Sequence, residues 1–144
     1  ENGEQVRRMS VKDGYAVRLA VKKNYRVAVF SGANGLGAKN RLLKLGVPDV
    51  FLEVSDKKKQ IEEYLELHHL QWDEVLYMGD DIPDYAALKM AGLPCAPSDA
   101  VPEVLQAAKY ISTFPGGMGC VRDVIEKVLR LHNNWDLQTT VAST

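Results

Sequence analysis

Short apolar runs alternate with helix-period segments along nearly the whole of this chain, with few residues between them. Tyr25 to Phe30, rich in β-branched and aromatic residues, reads as a strand, as do Val50 to Val54, Glu74 to Met78, Leu93 to Ala96 and Tyr110 to Ser112. Between them, Asp13 to Lys23, Gly37 to Leu45, Asp56 to Leu70, Tyr85 to Ala91, Pro102 to Lys109 and Val121 to His132 carry helical spacing. Asn24, Gly46 and Gly92 stand where helices stop. Val121, Val124, Ile125, Val128 and Leu131 form the apolar stripe of the closing helix, and Ile61, Tyr64, Leu65 and His68 that of the longest one. Such alternation with short loops specifies an α/β fold, a doubly wound parallel sheet covered by helices. In sheets of this kind ligands gather outside the carboxyl ends of the strands. Those ends carry Ser31, Lys57 and Asp80 in turn, so a hydroxyl, an ammonium group and a carboxylate are expected on one rim.

With 144 residues and 46% hydrophobic content, the chain has material for one well-buried domain. Residues 1–132 are read as that domain and 133–144 as a polar, mobile tail. A net charge of −1 gives no basic footprint for nucleic acid, and no apolar run is long enough to span a membrane. Cys95 and Cys120 are too few and too far apart for a disulfide framework or a zinc site, which fits a cytoplasmic protein. Gln5 to Val11 reads as the outgoing arm of a hairpin whose turn is Asn2-Gly3.

The chemistry concentrates in Leu76-Tyr77-Met78-Gly79-Asp80-Asp81-Ile82-Pro83-Asp84, which ends a strand in three closely spaced carboxylates. Such acids repel one another unless a cation lies among them, and the nearest Lys or Arg in sequence is Lys89. A hard divalent ion such as Mg²⁺, taking one or two carboxylates together with substrate phosphate and water, fits the oxygen-only set. The competing reading is that Asp81 or Asp84 simply caps the next helix, with Pro83 in its first turn. Ser31 can likewise cap the helix after Gly35, although the same geometry offers backbone N–H groups to an anion. Lys57-Lys58-Lys59 opposes the dipole at a helix start, which is unfavourable unless an anion is near. His68, His69 and His132 lack a metal-binding arrangement, since adjacent histidines on a helix point apart.

Ser31, Lys57 and Gly79-Asp80-Asp81-x-x-Asp84 resemble motifs two to four of the haloacid dehalogenase superfamily of phosphatases. With Val11-Lys12-Asp13-Gly14-Tyr15 and Pro115-Gly116-Gly117-Met118-Gly119-Cys120, the chain is more specifically similar to the capless 3-deoxy-D-manno-octulosonate 8-phosphate phosphatase family. That resemblance implies a Mg²⁺-dependent hydrolase acting on a sugar-acid phosphate of lipopolysaccharide synthesis. It implies Asp80 as the Mg²⁺ ligand, with Asp81 and Asp84 completing the metal set or orienting its waters. Ser31 would hydrogen-bond the phosphoryl group, and Lys57 would neutralise it. Ser10, Val11, Lys12, Asp13, Gly14, Arg18, Gly32 and Arg41 would contact substrate, the guanidinium forks suiting carboxylate and phosphate.

Two departures bear on this expectation. The family's Asp-x-Asp motif, holding the nucleophile and the general acid/base on a central strand upstream of the hairpin, is not in the sequence, and about 20 further residues are expected before Glu1. Ala33 stands where the family usually carries Arg, and Met118 where a basic residue is common in the glycine-rich loop. A related nonulosonate phosphate as substrate, or a non-catalytic tetramerising module, are the alternatives. Lacking a lid, family members close their sites by assembly, so a homotetramer is expected.

Overall fold

The computed structural model describes residues 11–138 and 140. Its order is α1 (Val11–Lys22), β1 (Ala28–Phe30), α2 (Leu36–Lys44), β2 (Asp49–Phe51), α3 (Lys57–Leu67), β3 (Leu76–Met78), α4 (Tyr85–Met90), β4 (Leu93–Ala96), α5 (Pro102–Ala107), β5 (Tyr110–Ile111) and α6 (Cys120–Leu131). Single 3-10 turns occupy Trp72–Glu74 and Ile82–Asp84. The strands are parallel and the class is α/β, as the alternation requires. They fall into two sheets, ordered β1-β2 and β3-β4-β5. The chain divides into two compact units: one runs to Glu53 and resumes at Gly117, and the other is Val54–Gly116. The expected hairpin arm from Gln5 to Ser10 lies outside the described residues; Val11, its last expected member, opens α1 instead.

In the first unit, α1 buries Ala16, Val17, Leu19 and Ala20. Val17 joins Leu45, Val47 and Val50 in one core cluster, and Leu19 and Ala20 meet Leu129 of α6 in another. Burial of such aliphatic side chains stabilises each by roughly 1.5–3 kcal/mol. Asn24 (φ 70°) ends α1 and Gly46 (φ 92°) follows α2, both in the left-handed conformation that stops helices. β1 is shorter than expected because Tyr25 turns its ring to the chain after α6: its hydroxyl meets His132 Nδ1 at 2.7 Å and accepts from Asn134 Nδ2 at 2.8 Å. Leu131, expected on the buried stripe of α6, is 81% exposed. Trp135 instead packs against the Leu19–Leu129 cluster, flanked by the guanidinium groups of Arg122 and Arg130 at 5.2 and 5.7 Å. The segment expected as tail is tied down in its described part. Lys23 pairs with Asp136 at 2.8 Å, and the Tyr15 hydroxyl donates to the Asp136 carbonyl while accepting from Gln138 N–H.

In the second unit, Leu88, Ala96, Ala100 and Val104 form the core between α4, β4 and α5. α3 presents Ile61, Tyr64 and Leu65 inward and stops at Leu67, three residues early, because His69 takes φ 58°. His68 becomes the C-cap, with its ring 4.4 Å from that of Tyr64. Cys95 and Cys120 are buried and unbridged. Among the described residues no helix is long and apolar enough to cross a membrane.

Candidate active site

β3 delivers the chain to Gly79, which is buried because the side chain of Asp84 folds directly over it; a Cβ there would overlap Asp84 Cβ and Cγ. Asp81 adopts an extended conformation and caps the turn Ile82–Asp84, its carboxylate accepting from Ile82 N–H at 2.7 Å. Asp84 N–H donates to the Asp81 carbonyl at 2.9 Å within the turn. A capping box joins the two acids reciprocally, the Asp81 side chain accepting from Asp84 N–H and the Asp84 side chain from Asp81 N–H, with Pro83 in the first turn. The capping interpretation therefore holds for Asp81 at the turn Ile82–Asp84, while Asp84, at the N-cap of α4, makes no side-chain bond to that helix.

Asp84 is also the hub of the loop. Its Oδ2 accepts from Asp80 N–H at 3.0 Å and Asp81 N–H at 3.2 Å. Its Oδ1 accepts from Lys57 Nζ at 2.8 Å and from the Tyr77 hydroxyl at 2.6 Å. The side chains of Lys57 and Asp84 are 16% and 6% exposed, so the pair is largely withdrawn from water. Burial opposes the charge on Asp84, but the hydrogen bonds from Lys57 and Tyr77, with the lysine's charge, outweigh it and hold the carboxyl below its usual range. Burial first, and then the Asp84 charge, push the Tyr77 hydroxyl far above its ordinary value, so it remains a protonated donor. The neutraliser of the acid run is thus a side chain after all. Lys57 comes from the first position of α3, which sequence proximity to Lys89 concealed. Its charge at a helix start is offset by Asp84 and by the Asp56 cap on Lys59 N–H.

Asp80 is left differently. Its carbonyl accepts from Val101 N–H at 3.0 Å, but its carboxylate is on an exposed residue. Partial desolvation and the charges of Asp84 and Asp81 raise its pKa; Lys57 opposes the rise and Asp99 adds to it. A carboxylate opposed by three other acids gains from a cation beside it, and oxygen donors suit Mg²⁺. Of the expected trio, Asp84 has both oxygens occupied by donors, which suits the orienting role among those expected for it. Among the described residues no group of three His, Cys, Asp or Glu is arranged to hold a metal. Asp80 and Asp81 fit a Mg²⁺ that takes one or two protein carboxylates and fills its remaining positions from substrate and water.

The other expected residues lie in the first unit. Ser31 follows β1; its N–H donates to Phe51 O at 2.9 Å and its Oγ accepts from Ala33 N–H at 3.2 Å, shaping the turn that holds Gly32. It does not cap α2, whose N-cap is Gly35. Arg18 donates from Nη1 to Lys44 O at 2.7 Å, at the C-terminal end of α2, while Arg41 is half-buried on α2 itself. Asp13 is fully buried, its Oδ1 accepting from Arg122 N–H at 2.8 Å in the first turn of α6; that makes it an internal cap. Gly14 beside it is buried, Val11 and Lys12 open α1, and Ser10 lies outside the described residues. Sequence reading overlooked Tyr77, and it overlooked Asp99, whose Oδ1 accepts from Gly116 N–H at 2.9 Å in the glycine-rich loop. Period-two alternation along β3 places Tyr77 opposite in facing to Leu76 and Met78, the only sequence signal for the first.

The family model for haloacid dehalogenase-like hydrolases matches residues 15–119. The chain belongs to that family. The 3-deoxy-D-manno-octulosonate 8-phosphate phosphatase of Salmonella typhi is 31% identical over 135 residues, covering 94% of this chain and 72% of the relative. The structure of the Yersinia pestis phosphatase of the same name superposes with a TM-score of 0.85 at 28% identity, covering 95% of this chain and 72% of that one. The Moraxella catarrhalis phosphatase, solved with magnesium, phosphate and KDO, gives a TM-score of 0.85 at 25% identity, covering 88% and 73%. The expected family and the expected phosphatase class of hydrolase are both met.

Proposed function

We propose that this haloacid dehalogenase-like hydrolase removes phosphate from 3-deoxy-D-manno-octulosonate 8-phosphate in a Mg²⁺-dependent reaction. The observation that carries the reading is the loop after β3, where Asp84 is satisfied internally while Asp80 keeps an exposed, electrostatically strained carboxylate. Asp80, with Asp81 beside it, holds the ion, which when bound supplies positive charge to the phosphoryl oxygens. Asp84 fixes the direction in which Asp80 and Asp81 present themselves by binding their backbone N–H groups. Lys57 lends its ammonium to the charge that develops on the transferring group, and Ser31 donates a hydrogen bond to it. Arg18 and Arg41 grip the sugar acid, with Gly32 and the segment Ser10 to Gly14 completing the contacts. The reading extends to a cytoplasmic homotetramer, for which size exclusion with light scattering is the check.

Phosphate release from the octulosonate 8-phosphate, measured with the full-length protein and Mg²⁺, tests this directly. Turnover that stops with a chelator is expected. A well-folded full-length protein without turnover contradicts it and favours a non-catalytic tetramerising module. Ala33, which removes a positive charge from the loop after Ser31, favours a second substrate, a nonulosonate phosphate. Faster turnover of a nine-carbon acid than of the eight-carbon one selects that reading.

A further inference from the structure

The oxygen of Asp84 that faces Lys57 receives two donors where one would neutralise it. Lys57 Nζ lies at 2.8 Å and the Tyr77 hydroxyl at 2.6 Å from the same Oδ1. The other oxygen is held by two backbone N–H groups that do not depend on either side chain. A carboxylate this deeply buried is costly to leave without partners. If Lys57 were its only partner on Oδ1, moving the ammonium away would strand a buried charge, and Lys57 would be locked in a structural ion pair. Tyr77 changes that. Carried by β3, its hydroxyl gives Oδ1 a second donor that does not come from the lysine. An ammonium has three N–H donors on a flexible stem, and Lys57 is partly open to solvent.

We propose that Tyr77 is a positioning residue that keeps Asp84 hydrogen-bonded while Lys57 turns toward an anion, and so sets how strongly Lys57 engages a phosphoryl group. This rests on the reading of Lys57 as the phosphoryl-neutralising residue. Tyr77 touches no substrate and supplies no proton; it acts through Asp84 on the lysine. Without the hydroxyl, Asp84 relies on Lys57 alone at Oδ1, and the ammonium is drawn away from the bound anion.

The test uses the full chain, with inorganic phosphate as probe in saturating Mg²⁺ and isothermal calorimetry as readout, and with Mg²⁺ alone titrated in parallel. Tyr77→Phe is expected to weaken phosphate binding roughly tenfold, the loss of one charge-assisted hydrogen bond. Mg²⁺ affinity is expected to stay within about twofold, because Asp80 and Asp81 are still held by Asp84 Oδ2. Lys57→Ala is expected to weaken phosphate binding at least as much. Equal losses of phosphate and Mg²⁺ affinity in Tyr77→Phe would make Tyr77 a mere structural member of the loop and overturn the inference. Unchanged phosphate affinity in Tyr77→Phe, with a loss in Lys57→Ala, overturns the inference and leaves the reading of Lys57 intact. Unchanged affinity in Lys57→Ala removes that reading itself. Should Tyr77→Phe fail to fold, 3-fluorotyrosine at position 77 keeps ring and hydroxyl while strengthening the donor. It is expected to tighten phosphate binding, and no change or a weakening overturns the proposal.

Discussion

In the second unit the buried carboxylate of Asp84 draws three of its four donors from Tyr77, Asp80 and Asp81, all within eight residues of chain, and the fourth from Lys57. In the first unit the buried carboxylate of Asp13 meets Arg122 N–H across a separation of 109 residues. Tyr15 and Lys23 likewise reach Asp136 across 121 and 113 residues. One unit thus satisfies its buried acid mainly within one loop, joined by Lys57 from α3, and the other by closing α1 against α6 and the segment after it. A local network forms with its turn and fixes a rim of charge in place. A non-local one depends on the two ends of the chain meeting, and serves to seal the core.

That contrast can be broken most forcefully at its local end. Asp84→Ala removes the acceptor for Lys57, Tyr77 and two backbone N–H groups at once. It is expected to destabilise the second unit by about 3–5 kcal/mol, the scale for breaking a buried ion pair, as measured by chemical denaturation. Gly79→Ala attacks the same loop from beneath, since the new Cβ overlaps the Asp84 side chain. A loss of about 1–3 kcal/mol is expected, again by denaturation, and an effect near zero would mean that Asp84 is free to move aside. At the non-local end, Asp13→Ala removes the cap on Arg122 N–H. The expected loss is about 1–2 kcal/mol, with hydrogen exchange accelerating in the first turn of α6 and not in the loop after β3. Acceleration in both places would erase the distinction between the units.

The smallest effect is electrostatic. Burial is the largest single influence on Glu126 and raises its pKa, but the hydrogen bonds and charges of Arg130 and Arg122 together outweigh it and hold the group below its ordinary 4.5. A depressed folded-state pKa means stability that is present above the ordinary value and is lost as pH falls through the folded one. Because Arg122 and Arg130 are 37% and 60% exposed at their side chains, the gain is screened to about 0.5 kcal/mol or less. A pH titration of stability in Glu126→Gln should therefore differ from the unsubstituted protein by that small amount above the ordinary 4.5, and the difference should vanish as pH falls through the depressed value.

Much of the second unit was legible in the sequence because its determinants are short-range. Asp81 and Pro83 announce a capped turn, and the acid run after an apolar strand announces a charged rim. The pairing of Lys57 with Asp84 was not legible, since parallel topology joins residues 27 positions apart without any periodic signal. Tyr77 was hidden for a related reason: a tyrosine in a strand is ordinary, and only the position of Asp84 gives its hydroxyl a task. In the first unit, Val124 and Ile125 followed helical period, but Leu131 did not stay buried because Trp135 fills the place at the Leu19–Leu129 cluster. Trp135 carries no pattern, being one aromatic in a polar stretch. The same limit hid the burial of Asp13, which the family resemblance implied as a substrate contact.

The claim on which the functional reading turns is that Asp80, and not Asp84, is the open ligand of the loop. Calorimetric titration of Mg²⁺ into the protein and into Asp80→Asn measures it most directly, because the substitution leaves the Asp80 N–H bond to Asp84 and the rest of the network in place. Loss of one of only a few carboxylate ligands should weaken Mg²⁺ binding by about tenfold or more, with the folding transition unchanged. Undiminished Mg²⁺ affinity in Asp80→Asn would contradict the account.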